Sequence, residues 1–162
     1  MNLNLSETLL RNCPYSDIGE LRAINCNDHI ISHFNADQWN EIIGWTNDER
    51  RLCKVIQKYK PIMAAFLYID KKSNSPLAFT FVIVENIYRK IASFHGGGWG
   101  NAWSNYRCAK MIIESIEKSG YSVRTSIAVT NKRARRFMIG LGFEVYRYSN
   151  ARALYRRNFL GK

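Results

Sequence analysis

The spacing of apolar positions changes period several times along the chain, and each change marks an element. From Ile62 to Ile69 and again from Leu77 to Val84 the sequence is apolar and partly aromatic over runs too short for a buried helix, and Arg89 to Phe94 is a third such run. The turn-rich segment Lys71-Lys72-Ser73-Asn74-Ser75-Pro76 separates the first two, so the three form a meander of strands. Upstream, Glu20 to Asn25 reads as a first strand. After it, Asn35 caps a helix over Ala36 to Ile43, and Thr46 or Asn47 caps another that runs to about Tyr59.

Beyond the meander the period becomes helical. Ala102, Tyr106, Ala109, Ile113 and Ile116 make one stripe, Arg107, Lys110, Glu114 and Lys118 point away from it, and Gly120 stops the helix. Val123, Thr125, Ile127 and Val129 then give a β-branched strand suited to burial. Thr130 or Asn131 caps a second helix, in which Ala134, Phe137, Met138 and Leu141 pack while Lys132, Arg133, Arg135 and Arg136 stay wet. Gly142 ends it, because the left-handed backbone of a helix terminus is easiest for glycine. The predicted order is strand, two helices, three strands, helix, strand, helix, two strands: an α/β (α+β) fold with a mixed sheet of about six to seven strands flanked by helices.

A chain of 162 residues without repeats or a Pro/Gly-rich linker is the size of one domain, residues 1–162. Cys13, Cys26, Cys53 and Cys108 lie far apart without paired metal-ligand spacing, so neither a zinc site nor a disulfide framework is expected. His29 and His33, four apart, lack a third ligand nearby and point to no metal. With no signal-like start and no run approaching the ~20 apolar residues of a membrane helix, a cytoplasmic protein without membrane contact is expected. The net charge of +11 draws polyanions. Its basic residues gather late, at Arg124, Lys132 to Arg136, Arg147, Arg152 and Arg156-Arg157, so the C-terminal half is the expected polyanion-facing side.

Between the third meander strand and the next helix sits His95-Gly96-Gly97-Gly98-Trp99-Gly100-Asn101. Consecutive glycines let backbone amides approach an anion without Cβ obstruction, and a helix N-terminus behind them adds positive potential. The same glycines also serve a plain sharp turn.

The order Asn131, Ala134 three residues later, then Gly142-Phe143 closing the helix resembles the C-terminal half of the Gcn5-related N-acetyltransferase (GNAT) superfamily, over roughly the last third of the chain. In that family the helix starting at the asparagine lies beside the thiol of acyl-coenzyme A. The pyrophosphate loop of the family reads Arg or Gln, two of any residue, Gly, any residue, then Gly or Ala; His95, Gly98 and Gly100 fit it with histidine at the first place. Counted back from Gly120, a typical family helix would place that turn nearer Trp103 to Asn105. The resemblance implies acetyl-CoA as co-substrate, held by Phe94, His95, Gly96, Gly97, Gly98, Trp99, Gly100, Asn101, Asn131 and Phe137. It also implies acetyl transfer to an amine by direct attack in a ternary complex, the thioester carbonyl being polarised by backbone amides of the fourth strand.

A general base is expected near strand ends that face the cleft, which singles out Glu85 and His95. The family often carries a tyrosine seven residues after the asparagine as acid for the thiolate; here that place is Met138, leaving Tyr106, Tyr146 or water to supply the proton. Trp39, Trp45, Tyr59, Phe66 and Tyr68 read as core. Two rival functions keep the fold: a nucleic-acid-directed acetyltransferase acting on aminoacyl-tRNA through the late arginines, and a degenerate member that binds coenzyme A or a partner without catalysis. The acceptor and the oligomeric state have no motif.

Overall fold

A computed structural model describes residues 4–13, 19–24, 54, 57–98 and 101–157. Its elements run α1 (Leu5–Arg11), β1 (Gly19–Ala23), β2 (Met63–Asp70), β3 (Pro76–Asn86), β4 (Ile91–Gly98), α2 (Ala102–Lys118), β5 (Ser122–Ala128), α3 (Lys132–Gly140), β6 (Phe143–Ser149) and β7 (Arg152–Arg157). The strands form one sheet in the order β1-β2-β3-β4-β5-β7-β6. All neighbours are antiparallel except β4 and β5, which the crossover through α2 makes parallel.

Each local signal has a physical counterpart. In the β2–β3 turn, Asp70 accepts from the Lys72 amide and the Ser73 hydroxyl, and these bonds with the Lys72 charge hold its carboxyl below the usual range. Asn101 caps α2 by accepting from the Ser104 amide at 2.8 Å, and Asn131 caps α3 by accepting from the Ala134 amide at 3.2 Å. Gly120 and Gly142 sit at φ +94° and +92° past the two helices, the left-handed stops their positions require. Asn150 and Ala151 turn β6 into β7 with φ 51° and 60°, a type I′ geometry matched to the strand twist.

The core lies between the sheet and the helices. From α2, Ile112, Ile113 and Ile116 are fully buried against Phe66, Val82, Phe94, Val123 and Tyr155, each contributing about 2–3 kcal/mol of apolar burial. Phe66 and Tyr68 are core, as expected; Tyr59 is exposed beneath the Lys58 ammonium. The opposite face of β2 and β3 is buried as well, so these strands read as continuous apolar runs rather than alternating ones.

Two elements differ from the expectation. Helix α1 has no counterpart in the sequence reading, because only Leu5 and Leu9 anchor its seven residues. It is held on α2 by the Ser115 hydroxyl, which donates to the Leu9 carbonyl, and by Asn12 Nδ2 donating to Ser119 Oγ at 2.9 Å. The meander's last strand does not stop at Phe94: it continues through His95–Gly98, which pair with Phe81, Thr80, Phe79 and Ala78. Gly96 is held close to β3, where a Cβ would come within 2.5 Å of the Phe79 carbonyl, so only glycine fits the strand at that position. The predicted helices over Ala36 to Ile43 and from Thr46 or Asn47 toward Tyr59, with Trp39, Trp45, His29 and His33, fall outside the described residues apart from the last few positions. Among the described residues, no helix is long and apolar enough to cross a membrane.

Candidate active site at the strand fork

The sheet divides at its centre. β4 and β5 pair only over Ile91–Ser93 and Ser122–Arg124, after which β5 turns to pair with β7 while β4 keeps only β3. At the point of division Thr125, 7% exposed, donates its hydroxyl to the Phe94 carbonyl at 2.8 Å. A carbonyl that lost its ladder partner is thereby satisfied inside the protein. In an extended strand the N–H and C=O of one residue share a side and alternate between neighbours. Since the Phe94 carbonyl turns toward β5, the Phe94 amide turns that way too and closes the last rung of the Ser93–Arg124 pairing, while both backbone groups of Gly96 turn into the open fork.

A cavity of about 380 Å³ fills this fork. β4 supplies one wall with Phe94, His95, Gly96, Gly97 and Gly98; α2 supplies Ala102, Asn105, Cys108 and Ala109; α3 and the turn before it supply Asn131, Arg133, Ala134, Phe137 and Met138. Thr125 and Ile127 form the β5 side. The N-terminal turns of α2 and α3 both reach the cavity, neither contains an acidic residue, and the lining holds no carboxylate among the described residues. Two helix N-termini and the Arg133 guanidinium therefore face space that favours an anion. A pyrophosphate-bearing thioester cofactor fits this electrostatic pattern, and the apolar Phe137, Met138 and Ala109 fit its uncharged arm.

Of the residues expected to hold the cofactor, Phe94, His95, Gly96, Gly97, Gly98, Asn131 and Phe137 meet at this cavity. Asn101 stands just outside it as the α2 cap. Trp99 and Gly100 are outside the described residues. Gly98 has a packing role of its own: a Cβ there would overlap the Asn105 side chain. The α2 helix starts directly after this segment, so the displacement toward Trp103 to Asn105 that residue counting suggested is not needed to bring a helix N-terminus to the cavity.

The two candidate bases part company. His95 lines the cavity, and burial, with the Arg152 charge as a smaller cause, holds its pKa below the ordinary 6.5. Glu85 is exposed at the far end of β3, where the Val84/Asn86 bulge pairs with the start of β4. Successive antiparallel strands end at opposite edges of a sheet, so the end of β3 lies about 13 Å along β4 from His95. The structure thus does not bring Glu85 to the cavity. Met138 is buried on the cavity wall. Neither suggested replacement acid lines it: Tyr106 stacks on Trp103 at 6.4 Å, and Tyr146 lies between Arg124 and Arg156 on the sheet's outer strands.

Sequence reasoning missed Thr125, Arg133, Cys108 and Asn105 as lining. Asn105 had a legible signal: an amide at core spacing, three and four residues before the buried Cys108 and Ala109. Its Oδ1 is buried without a hydrogen-bond partner. The Cys108 thiol is pushed up to about 12 by burial, which leaves it protonated and unreactive.

No family model matches the chain, and no curated protein matches it in sequence. Solved structures do. FdhC, a nucleotide-linked sugar GNAT, superimposes with a TM-score of 0.72 at 16% identity over 89% of this chain and 88% of its own. The chain has the fold of the GNAT superfamily. A mutant of the spermidine N-acetyltransferase SpeG from Vibrio cholerae gives 0.69 at 14% identity, covering 87% of this chain and 93% of that one. AAC(6')-Ib, in complex with paromomycin and acetyl-CoA, gives 0.65 at 14% identity, with 86% and 92% covered. In this GNAT-like sheet, the fork between β4 and β5 is the feature that creates the cavity.

Proposed function

We propose that this chain is an acetyl-CoA-dependent N-acetyltransferase whose cofactor occupies the β4–β5 fork and whose amine acceptor attacks directly in a ternary complex. The observation that carries the reading is the cavity opened by the fork, with no carboxylate among its described lining residues, strand backbone of Gly96 facing it on one wall and the Asn131-capped α3 on another. That solved neighbours include acetyltransferases of spermidine and a complex with acetyl-CoA agrees with it at the level of fold.

Bound acetyl-CoA would supply an activated acyl group as its thioester. The chain's part is to hold and polarise: the Gly96 amide, facing the fork, is a donor for a carbonyl oxygen that gains negative charge as the amine adds. His95, neutral at pH 7 because its pKa is lowered, accepts the amine proton as the N–C bond forms. Met138 has no proton to give to a departing thiol, so at that wall the proton would come from water. Among the described residues Cys108 is the thiol at the cavity, and a thiol pushed to about 12 does not carry an acyl group as a covalent intermediate. This supports direct transfer.

Met138 also favours a second reading, a cofactor-binding protein without turnover. A thermal-shift titration with acetyl-CoA, followed by thiol release in the presence of polyamine, aminoglycoside and amino-sugar acceptors, separates the two. A concentration-dependent shift with acceptor-stimulated release supports the enzyme. A shift without release supports the binder, and no shift removes both.

A further inference from the structure

The face of β5, β7 and β6 that points away from α2 and α3 carries a concentration of arginine. Arg124 pairs in register with Arg156, Ser126 with Leu154, and Ala128 with Arg152; Arg147 of β6 lies opposite Leu154. Partners across an antiparallel ladder share a face, so Arg124, Arg147, Arg152 and Arg156 stand together. Val123, Thr125, Ile127 and Tyr155 point to the helix side, where all four are buried. Glu144, bonded to Arg156 at 3.4 Å, is the carboxylate of these strands. The other arginine of β7, Arg157, points to the helix side and meets Glu117 at 2.6 Å.

This face runs up to the fork. Ser93 pairs with Arg124 across the parallel junction, and His95, two residues on, shares their side. Arg152 anchors itself by donating to the Ser126 carbonyl at 2.8 Å and its hydroxyl at 3.1 Å. Its charge is felt at the His95 imidazole. Tyr146, the bulge residue of β6, lies between the Arg124 and Arg156 guanidiniums at 5.2 and 5.6 Å, which keeps the two cations extended rather than collapsed onto each other.

We infer that the acceptor is an amine carried on a small phosphate-bearing molecule, its phosphates held by the Arg124, Arg147 and Arg156 face while the amine reaches His95 at the fork. The inference rests on the acetyltransferase reading above. Among the described residues, Arg124 and Arg147 beside an Arg156 that shares Glu144 make a positive face that disfavours a polycationic amine and attracts its phosphorylated counterpart, and guanidiniums match phosphate oxygens in fork geometry. The patch measures about 10 Å across three strands and about 13 Å from Arg152 to Arg156. That holds a sugar phosphate or one nucleotide, not a polymer.

The test uses the intact protein and reads the cofactor separately from the acceptor. Glucosamine, glucosamine 6-phosphate, UDP-glucosamine and spermidine are compared by kcat/KM, and pyrophosphate is titrated calorimetrically into protein saturated with coenzyme A. The expected result is a preference of on the order of tenfold or more for one of the two phosphorylated amines over glucosamine and over spermidine; which of the two wins tells a sugar phosphate from a nucleotide. Arg147→Glu, on an exposed side chain, and the double variant Arg124→Glu/Arg156→Glu should lose that preference and the pyrophosphate heat while keeping the acetyl-CoA thermal shift. Spermidine or glucosamine turned over as well as the phosphorylated amines, or pyrophosphate binding unchanged in Arg147→Glu, overturns the inference. So does tighter binding of a twelve-nucleotide RNA than of pyrophosphate. Absence of any acetyl-CoA shift in the wild type would instead strike the acetyltransferase reading.

Discussion

The hydrogen bond at the fork makes a quantitative prediction. Thr125→Val keeps the shape of the side chain and removes the hydroxyl that donates to the Phe94 carbonyl at 2.8 Å. Thr125 is 7% exposed and Phe94 3%, so water has little access to the carbonyl left behind. Stranding a buried acceptor costs about 1–3 kcal/mol, and the low exposure places this one near about 2 kcal/mol. For a chain of this size each kcal/mol lowers Tm by roughly 2–4 °C, so the variant should melt about 4–8 °C below wild type. Thr125→Ser retains the hydroxyl and loses one methyl, for about 1 kcal/mol. Urea melts at pH 7.5 order the three proteins, and acetyl-CoA titration of each reports the fork: affinity should fall in the valine variant and hold in the serine one. A valine variant as stable as the serine variant, with cofactor affinity intact, refutes the claim that this bond sets the division between β4 and β5.

The lowered His95 pKa predicts two pH effects. A neutral base persists below pH 6.5 and the acid limb of single-turnover acetylation falls only beneath that value; His95→Gln should be slow and lose this limb, and an unchanged profile would leave solvent as the base. On stability the sign is opposite to that of a salt-bridged histidine: the unfolded chain takes up a proton near pH 6.5 while the native imidazole stays neutral. Stability therefore drops as pH falls through 6.5 and levels off below the depressed native value, a slope His95→Gln should lack in urea midpoints at pH 5.0 and 7.5. Met138→Tyr places a proton donor on the cavity wall and should raise single-turnover acetyl transfer by at least about tenfold, below the ~10²–10⁴ a well-aligned acid gives; equal rates with cofactor bound would show that thiolate protonation limits nothing. Ala151→Gly relieves a left-handed alanine at φ 60° and should stabilise by about 1 kcal/mol in the same melts, a result that an unchanged midpoint would contradict.

What the sequence disclosed follows from how local its causes are. Caps and stops act within a turn of chain, so Asn131, Gly120 and Gly142 could be read directly, and the apolar runs of β2 and β3 announce strands buried on both faces. The length of β4 could not be read, because glycine has low strand propensity and His95–Gly98 are held by cross-strand partners 14 to 20 residues earlier in the chain. The place of Glu85 away from the cavity has the same origin: proximity to a strand end is legible, but which edge of the sheet that end occupies depends on pairing direction. Thr125 was correctly read as a buried strand residue, yet its hydroxyl acts on a carbonyl 31 residues away. The fork itself is a register event, the loss of β4–β5 pairing after Ser93, and no side-chain pattern within either strand encodes it.

The central claim is that the cavity between β4 and β5 takes acetyl-CoA. Calorimetric titration of acetyl-CoA into the wild type and into Ala134→Trp, whose indole would fill the cavity from the first turn of α3, addresses it most directly. The account predicts one site per chain in the wild type and loss of binding in the variant, with the variant's melting temperature within a few degrees of wild type. No binding to the wild type at millimolar cofactor, or equal affinity in a folded Ala134→Trp protein, would contradict it.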